Sequence, residues 1–460
     1  MAVVTDRWGE PLTSPDAEGA ASFDRLVEGY LSFSADLPAR LQRAVGEGDV
    51  PLALCVEGYF QLLSHRRAGW ERARAIHELL AQRADLTERE QGHVAALGAW
   101  SQGSPLRAAD CWDSVLDRHP RDLLALRLQH FLLFGQGQVA RMRDTLARAI
   151  PGFSADVPYA SYVAGMVAFT AEEQGELQTA EALGLAAAEA DPDDLWAVHT
   201  IAHVLETQGR LADGIGWLTD RPALQGKGSF ANHLWWHKGL YLVELDRVED
   251  VLDLFDTVVY PGRSEEGLDL TNAVSLLMRL EIAGHDVGDR WQRLAPHLGV
   301  RLGTHTYPFN DVHYVGGLGL AGNTEDAEAL LTAMSAWATT RDDEAASVLR
   351  LCGLAVGHGL AAYADGRYEE AVHHLLAVRY EWWRLGGSHA QRDVFAQVLI
   401  AAAQRSGRLD LTARLLAERT GRRAMSPAAW AWQADVSARR GDDLGAARAK
   451  DRAARLRAAV

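Results

Sequence analysis

A short grammar recurs along this chain and limits what it can fold into. In "GELQTAEALGLAAAEADPDD" small residues stand at Ala180 and Ala187, and Pro192 closes the run. "SPLRAADCWDSVLDRHPRD" repeats it with Ala108, Val115 and Pro120. Looser copies read "GRLADGIGWL", "DRVEDVLDLF", "NTEDAEALLTAM", "GRYEEAVHHLLA", "GRLDLTARLLAE" and "GDDLGAARAKDRA". Equivalent positions fall near Ala73, Ala108, Arg143, Ala180, Gly214, Val251, Ala327, Ala371, Thr412 and Ala446, most of them roughly 34–41 residues apart. The wide step from Val251 to Ala327 has room for one more unit around Trp291. Small residues let antiparallel helices approach, glycine in the "GR" and "GE" turns accepts positive φ, and proline stops the second helix.

This is the pattern of tetratricopeptide-type helix–turn–helix units, which stack into one continuous body. Strand signals are nearly absent. The expected fold is all-α: a tetratricopeptide-repeat-like right-handed helical superhelix, an α-solenoid, tightly curled. It should occupy residues 21–460 as a single solenoid, after a polar N-terminal tail at 1–20. Long turns interrupt the array at Thr219–Phe230, Tyr260–Leu270, Arg301–Tyr314 and Arg384–Asp393, and long loops inside compact arrays often carry function.

Charge and cysteine usage narrow the function classes. A formal net charge of −16 argues against a nucleic-acid partner or an anionic membrane surface, since both reward a basic face. Cys55, Cys111 and Cys352 form no CxxC and no disulfide framework, so a reducing cytoplasm is the default. The N-terminus is polar, with no signal peptide, and the longest apolar stretch, around Phe395–Ala403, is half a membrane span.

The candidate chemistry lies in two histidine pairs, His199/His203 and His233/His237. Each is spaced i,i+4, so both imidazoles share one helix face. The second pair follows the first by 34 residues, one repeat, which puts the pairs on neighbouring parallel helices. In repeats of this type the first helix of each unit lines the concave face. With Gly175 and Gly209 ending their helices, that lining takes Tyr162, Phe169, Glu172 and Glu173 from one unit and His199, His203 and Glu206 from the next. The register of "NHLWWHKGLYLVELD" is ambiguous by about one turn, leaving His233 on the lining and His237 either central or flanking.

Three readings of these residues stay open. His-x3-His pairs can bind Zn²⁺ or another transition metal. They can form a functional polar pocket, in which His199, His203, His233, His237 and Glu206 act as catalytic acid–base groups. Or they can be structural histidines hydrogen-bonded to one another and to the carboxylates. No cofactor is expected as a rule, with a metal on His199, His203, His233 and His237 as the exception.

Further ligand-binding candidates are His93, Tyr162, Glu172, Trp236, Arg279, His313, His389, Arg392 and Asp393. "GGSHAQRDVF" brings His389, Arg392 and Asp393 to a helix start, where free N–H groups favour anions and Ser388 can cap. The bland alternative there is a local Arg392–Asp393 ion pair. Arg279 sits mid-way along an apolar helix and needs a partner. Of the pairs Trp235–Trp236 and Trp382–Trp383, one ring each can face the groove. No phosphate loop, nucleophile elbow, Cys/His dyad or dinucleotide fingerprint is present.

Assembled, the segments Thr87–Gly103, Tyr159–Glu181, Asp191–Arg210, Asn232–Asp246, Ala273–Trp291 and "GGSHAQRDVF" resemble the tetratricopeptide repeat protein 38 family. The resemblance implies fold and architecture over most of the chain and brings no activity with it. One departure is Thr170–Ala171, where the family resemblance leads one to expect larger apolar residues. The resulting expectation is an enclosed concave pocket that binds a small polar or anionic metabolite or a short peptide, and acts on it by hydrolysis, elimination or cyclisation. The alternative is a non-catalytic protein–protein interaction scaffold.

Overall fold

A computed structural model describes residues 2–46, 49–154, 157–224, 227–262, 264–299 and 304–458. Residues 225–226, 263 and 301–303 of the long turns singled out above lie outside these. Helices follow one another in antiparallel pairs from Ala17 to Ala458. The repeat grammar explains them. Ala73, Ala108, Ala180, Val251, Ala327, Ala371 and Thr412 are all buried, and a side chain at Gly214 would run into the Tyr241 ring. The extra unit around Trp291 is present as the pair Gly267–Ile282 and Arg290–Gly299, with Trp291 buried. Arg143 departs from the pattern: it is exposed, and Met142 takes the buried position on the Val139–Ala149 helix.

The first helix of each pair faces inward. Leu195–Gln208 is buried from Leu195 to Glu206, Gly267–Ile282 along most of its length, and Pro308–Leu320 from Pro308 to Gly319. A helix that is apolar all round belongs inside a larger body. The same holds for the run Glu344–Ala364, which is long and apolar enough to cross a membrane by length and composition alone. It is half buried here, packed on Pro308–Leu320 and Tyr368–Ala377. Glycines at positive φ end the inner helices, among them Gly103, Gly137, Gly175 and Gly209.

The superhelix is curled tightly enough for its C-terminal half to touch the turns of its N-terminal half. The Glu344 carboxylate accepts from Leu106 N at 3.0 Å, and Glu344 N donates to Gly103 O at 3.2 Å. Arg423 reaches Glu206, His389 reaches Glu172, and Ser426 reaches Glu244. These contacts join segments far apart in the chain.

The first residues do not form a tail. Ala2–Thr5 (β1) and Pro11–Ser14 (β2) pair as an antiparallel hairpin, and the Ala17–Leu31 helix follows directly. Trp8 and Leu12 are buried, Thr13 donates to Glu90, and Asp6 accepts from Arg89 Nη1 at 2.7 Å. Each strand is only four residues long, AVVT and PLTS, and neither shows the alternation that would mark it in the sequence.

Candidate functional site

The two histidine pairs meet. Leu195–Gln208 and Ser229–Glu244 are neighbouring inner helices, and the i,i+4 spacing stacks each pair on the facing sides. His199 Nε2 stands 3.1 Å from the Nε2 atoms of His203, His233 and His237. All four side chains are buried. Donor atoms of His199, His203 and His237 lie within 4.8 Å of one another, as do those of Glu172, Glu173, His203 and His389.

Polar groups stand behind the rings. His233 Nδ1 faces Asn272 Oδ1 at 3.0 Å. Glu172 Oε2 stands 3.3 Å from His203 Nδ1, and Glu206 Oε2 3.9 Å from His237 Nδ1, both without completing a hydrogen bond. The other Glu172 oxygen pairs with His389 Nε2 at 2.7 Å, and the other Glu206 oxygen with Arg423 Nη1 at 2.7 Å. Trp236 lies flat on the His233 ring at 5.1 Å between centroids and donates Nε1–H to Ser275.

Burial holds His199 and His237 well below the ordinary histidine value, with neighbouring imidazoles adding to the effect. Burial brings His233 down to about 3, partly offset by Asn272. These rings are therefore neutral donors at neutral pH. His389 is the opposite case: burial disfavours its charge, but Glu172 and Glu173 outweigh it and raise the group to about 9. Burial pushes Glu172 up, and the imidazoles of His389 and His203 overcome it and hold the carboxyl below its usual range.

A chamber of about 370 Å³ opens beside the cluster, with His199 and His233 in its wall. The rest of the wall is mainly aromatic: Phe33, Trp100, Phe131, Phe134, Trp196 and Phe230. Phe33 and Phe230 stack at 4.0 Å, and Trp196 sits edge-on to Phe131 at 4.5 Å. Gln391 is among its few polar groups. The expected polar pocket is thus a mainly apolar cavity, with His199 and His233 in one wall and His65, Asp343 and Arg384 also on its border. The aromatic residues come from turns and helices far apart in the chain, so no local motif announces them.

The remaining candidates do not converge on this chamber. Glu206, Arg279 and Asp393 border a second cavity of about 250 Å³ together with Arg419 and Arg423. His389 and Arg392 border a third, of about 370 Å³. The helix start at His389 is already satisfied. Ser388 and Gln391 form a capping box, and the backbone N–H of His389 donates to Glu173 at 3.1 Å, so the anion at this N-terminus is the protein's own. Arg392 is tied to the Gly386 and Gly387 carbonyls, and Asp393 forms a two-pronged pair with Arg419 at 2.6 and 2.9 Å instead of pairing with Arg392. Arg279 finds its partners in two carbonyls, Ser275 O at 3.0 Å and Ala390 O at 2.8 Å, and burial lowers it to about 10.

Three candidates belong to packing elsewhere. His93 is held by Asp122 at 2.9 Å and Tyr59 at 3.2 Å, in the network that anchors Arg89 and the hairpin. Tyr162 packs on Tyr159, nearly two turns before Phe169 on the same helix. His313 donates to Phe309 O and lies between the Phe309 and Phe395 rings.

No family model matches the chain. The solved human IFIT1 dimer with PPP-AAAA is similar at a TM-score of 0.38 and 13% identity, covering 98% of this chain and 96% of that one. An IFIT1 monomeric mutant with Gppp-AAAA gives 0.37 and 13%, covering 96% of each chain. The P58(IPK) TPR domain gives 0.22 and 11%, covering 80% of this chain and 98% of that one. At these identities the likeness is one of tetratricopeptide-like helical architecture, and it does not extend to the particular family resembled in sequence. One expectation is corrected. The expected exclusion of a nucleic-acid partner is withdrawn, since net charge alone cannot carry it; IFIT1 itself is solved with PPP-AAAA and with m7Gppp-AAAA. The physical reason is that net charge averages over a surface whose clefts differ. In this −16 chain the third cavity is bordered by Arg379, Arg392, Arg419, Arg422 and Arg423, with Glu418 and Asp393 paired to Arg379 and Arg419 in the same wall.

Proposed function

We propose that the chain is a helical-repeat binding protein whose aromatic chamber takes a small molecule with an apolar body and one polar or anionic end, directed at His199 and His233. The supporting observation is the chamber's wall: nine aromatic rings around about 370 Å³, with neutral imidazoles on one side. That volume falls within the roughly 300–1,000 Å³ of small-molecule sites, which are mostly apolar with a few placed polar groups. The apolar body fills the aromatic room, and the polar end finds its hydrogen-bond partners at the histidine wall.

Saturated fatty acids and alcohols of equal chain length probe this reading. Trp70, Trp100 and Trp196 border the chamber, so occupancy should quench tryptophan fluorescence saturably. The acid should bind more tightly than the alcohol, and His233→Ala should narrow the difference. Ala345→Phe, placed on the chamber wall, should weaken both. Quenching that does not saturate, or that ignores Ala345→Phe, would leave the solenoid as an interaction scaffold.

A further inference from the structure

Hydrogen bonding among protein groups does not account for the histidine cluster. The Nε2 atom of a neutral imidazole carries either one proton or one lone pair, so it makes one directed hydrogen bond. His199 Nε2 has three Nε2 neighbours at 3.1 Å. One contact can be a hydrogen bond; the other two set like against like. The outer nitrogens decide which. Asn272 Oδ1 keeps a proton on His233 Nδ1, and the carboxylates of Glu172 and Glu206 favour one on the Nδ1 atoms of His203 and His237. Three lone pairs are thereby turned toward the same point. His199 Nδ1 has no hydrogen-bond partner, although the side chain is buried. Uncompensated polar atoms in a dry interior are costly, and a cation would satisfy the converging lone pairs together.

We propose that His199, His203, His233 and His237 hold one divalent first-row transition metal, Zn²⁺ or a neighbour in that series, through their Nε2 atoms. A metal–nitrogen bond of about 2.0–2.1 Å puts tetrahedral donors about 3.3–3.4 Å apart. His199 is already near that distance from each partner, His203 and His237 lie within 4.8 Å of it and of each other, and His233 has to swing inward to complete the set. An all-imidazole set suits Zn²⁺, Cu²⁺, Ni²⁺ or Co²⁺ and rejects Mg²⁺ and Ca²⁺, which take oxygen donors. Glu172, Glu206 and Asn272 occupy the places from which an outer partner orients a ligating imidazole. Spacing that is weak evidence in the sequence becomes a converging donor set once two neighbouring inner helices face one another. The metal sits at the chamber wall, because His199 and His233 border both, and its binding does not depend on what fills the chamber.

The test is a Co²⁺ titration of full-length protein stripped with EDTA. Expected are one equivalent bound, the intense visible bands of a four-coordinate nitrogen site, displacement by Zn²⁺ but not by excess Mg²⁺, and a melting temperature that rises with saturation. His199→Ala and His237→Ala should cost more than the roughly 10–100-fold expected of an outer partner such as Glu172→Gln. His374→Ala, at the partly exposed group where the His358, His373 and His374 rings meet, should change nothing. Unsaturable binding, the weak bands of six-coordinate Co²⁺, or binding indifferent to His199→Ala overturns the proposal. If either alanine variant fails to fold, the stoichiometry and spectrum of the unaltered protein decide it alone.

Discussion

Gly386 and Gly407 both have positive φ, 82° and 79°, but Gly386, with ψ of −161°, lies in the region only glycine favours, and their surroundings differ. A Cβ added at Gly386 would overlap the Gly135 carbonyl oxygen, with the carbonyl carbon at 2.7 Å; at Gly407 it would meet nothing within 4 Å. Positive φ costs an alanine about 1–2 kcal/mol at Gly407 and about 1–3 kcal/mol in the glycine-only region at Gly386. At Gly386 the obstacle is backbone and cannot rotate aside, so overpacking adds about 1–3 kcal/mol. Gly386→Ala should therefore lose about 2–6 kcal/mol and Gly407→Ala about 1–2 kcal/mol, read from urea midpoints at unchanged slope. Because Gly135 and Leu385 border the chamber, Gly386→Ala should also weaken probe binding while Gly407→Ala leaves it intact. Equal losses from the two variants would refute the reasoning, since the close approach of the C-terminal turn to the Leu123–Gly135 helix would then carry no energy.

Further expectations concern the buried charges. Asp122 accepts from both Arg89 and His93, so Asp122→Ala leaves the buried guanidinium with Asp6 as its one carboxylate and His93 with none, and should cost about 3–5 kcal/mol by urea unfolding, without altering Co²⁺ stoichiometry. A loss below about 1 kcal/mol would contradict the network. Burial raises the Asp194 carboxyl to about 7 against the pull of Arg127, from an ordinary 3.8. A folded pKa above the unfolded one means folding takes up a proton, so this group's contribution is full below about pH 4 and lost as pH rises through 7. Asp194→Asn keeps an acceptor for the cap of the Leu195–Gln208 helix, and should gain stability over the unaltered protein at pH 8 more than at pH 5. A difference independent of pH would count against it.

What could be read from the sequence follows from range. Repeat period, helix pairing and the glycine turns are local signals, and Gly175, Gly209 and Ser388 act as their motifs foretell. The meeting of His199, His203, His233 and His237 was legible too, because i,i+4 spacing and a one-repeat offset are both periodic facts. What the curl brings together was not. Glu344 on Leu106, Arg423 on Glu206 and Trp383 against Gly137 join segments about 200 residues apart or more, and no local rule fixes how tightly a solenoid winds. The same blindness put His389, Arg392 and Asp393 at a free anion site, when Glu173, the glycine carbonyls and Arg419 already occupy their bonding directions. It also put His93 in the pocket, when Asp122 and Tyr59 hold it near the hairpin.

Whether the four imidazoles form a site or a packed polar layer is tested most directly by diffraction at the zinc absorption edge, from crystals of the stripped protein resupplied with Zn²⁺. The expected result is one anomalous peak about 2.0–2.1 Å from the Nε2 atoms of His199, His203, His233 and His237, at the edge of the aromatic chamber. No peak there, with the rings turned apart into pairwise hydrogen bonds, would contradict it.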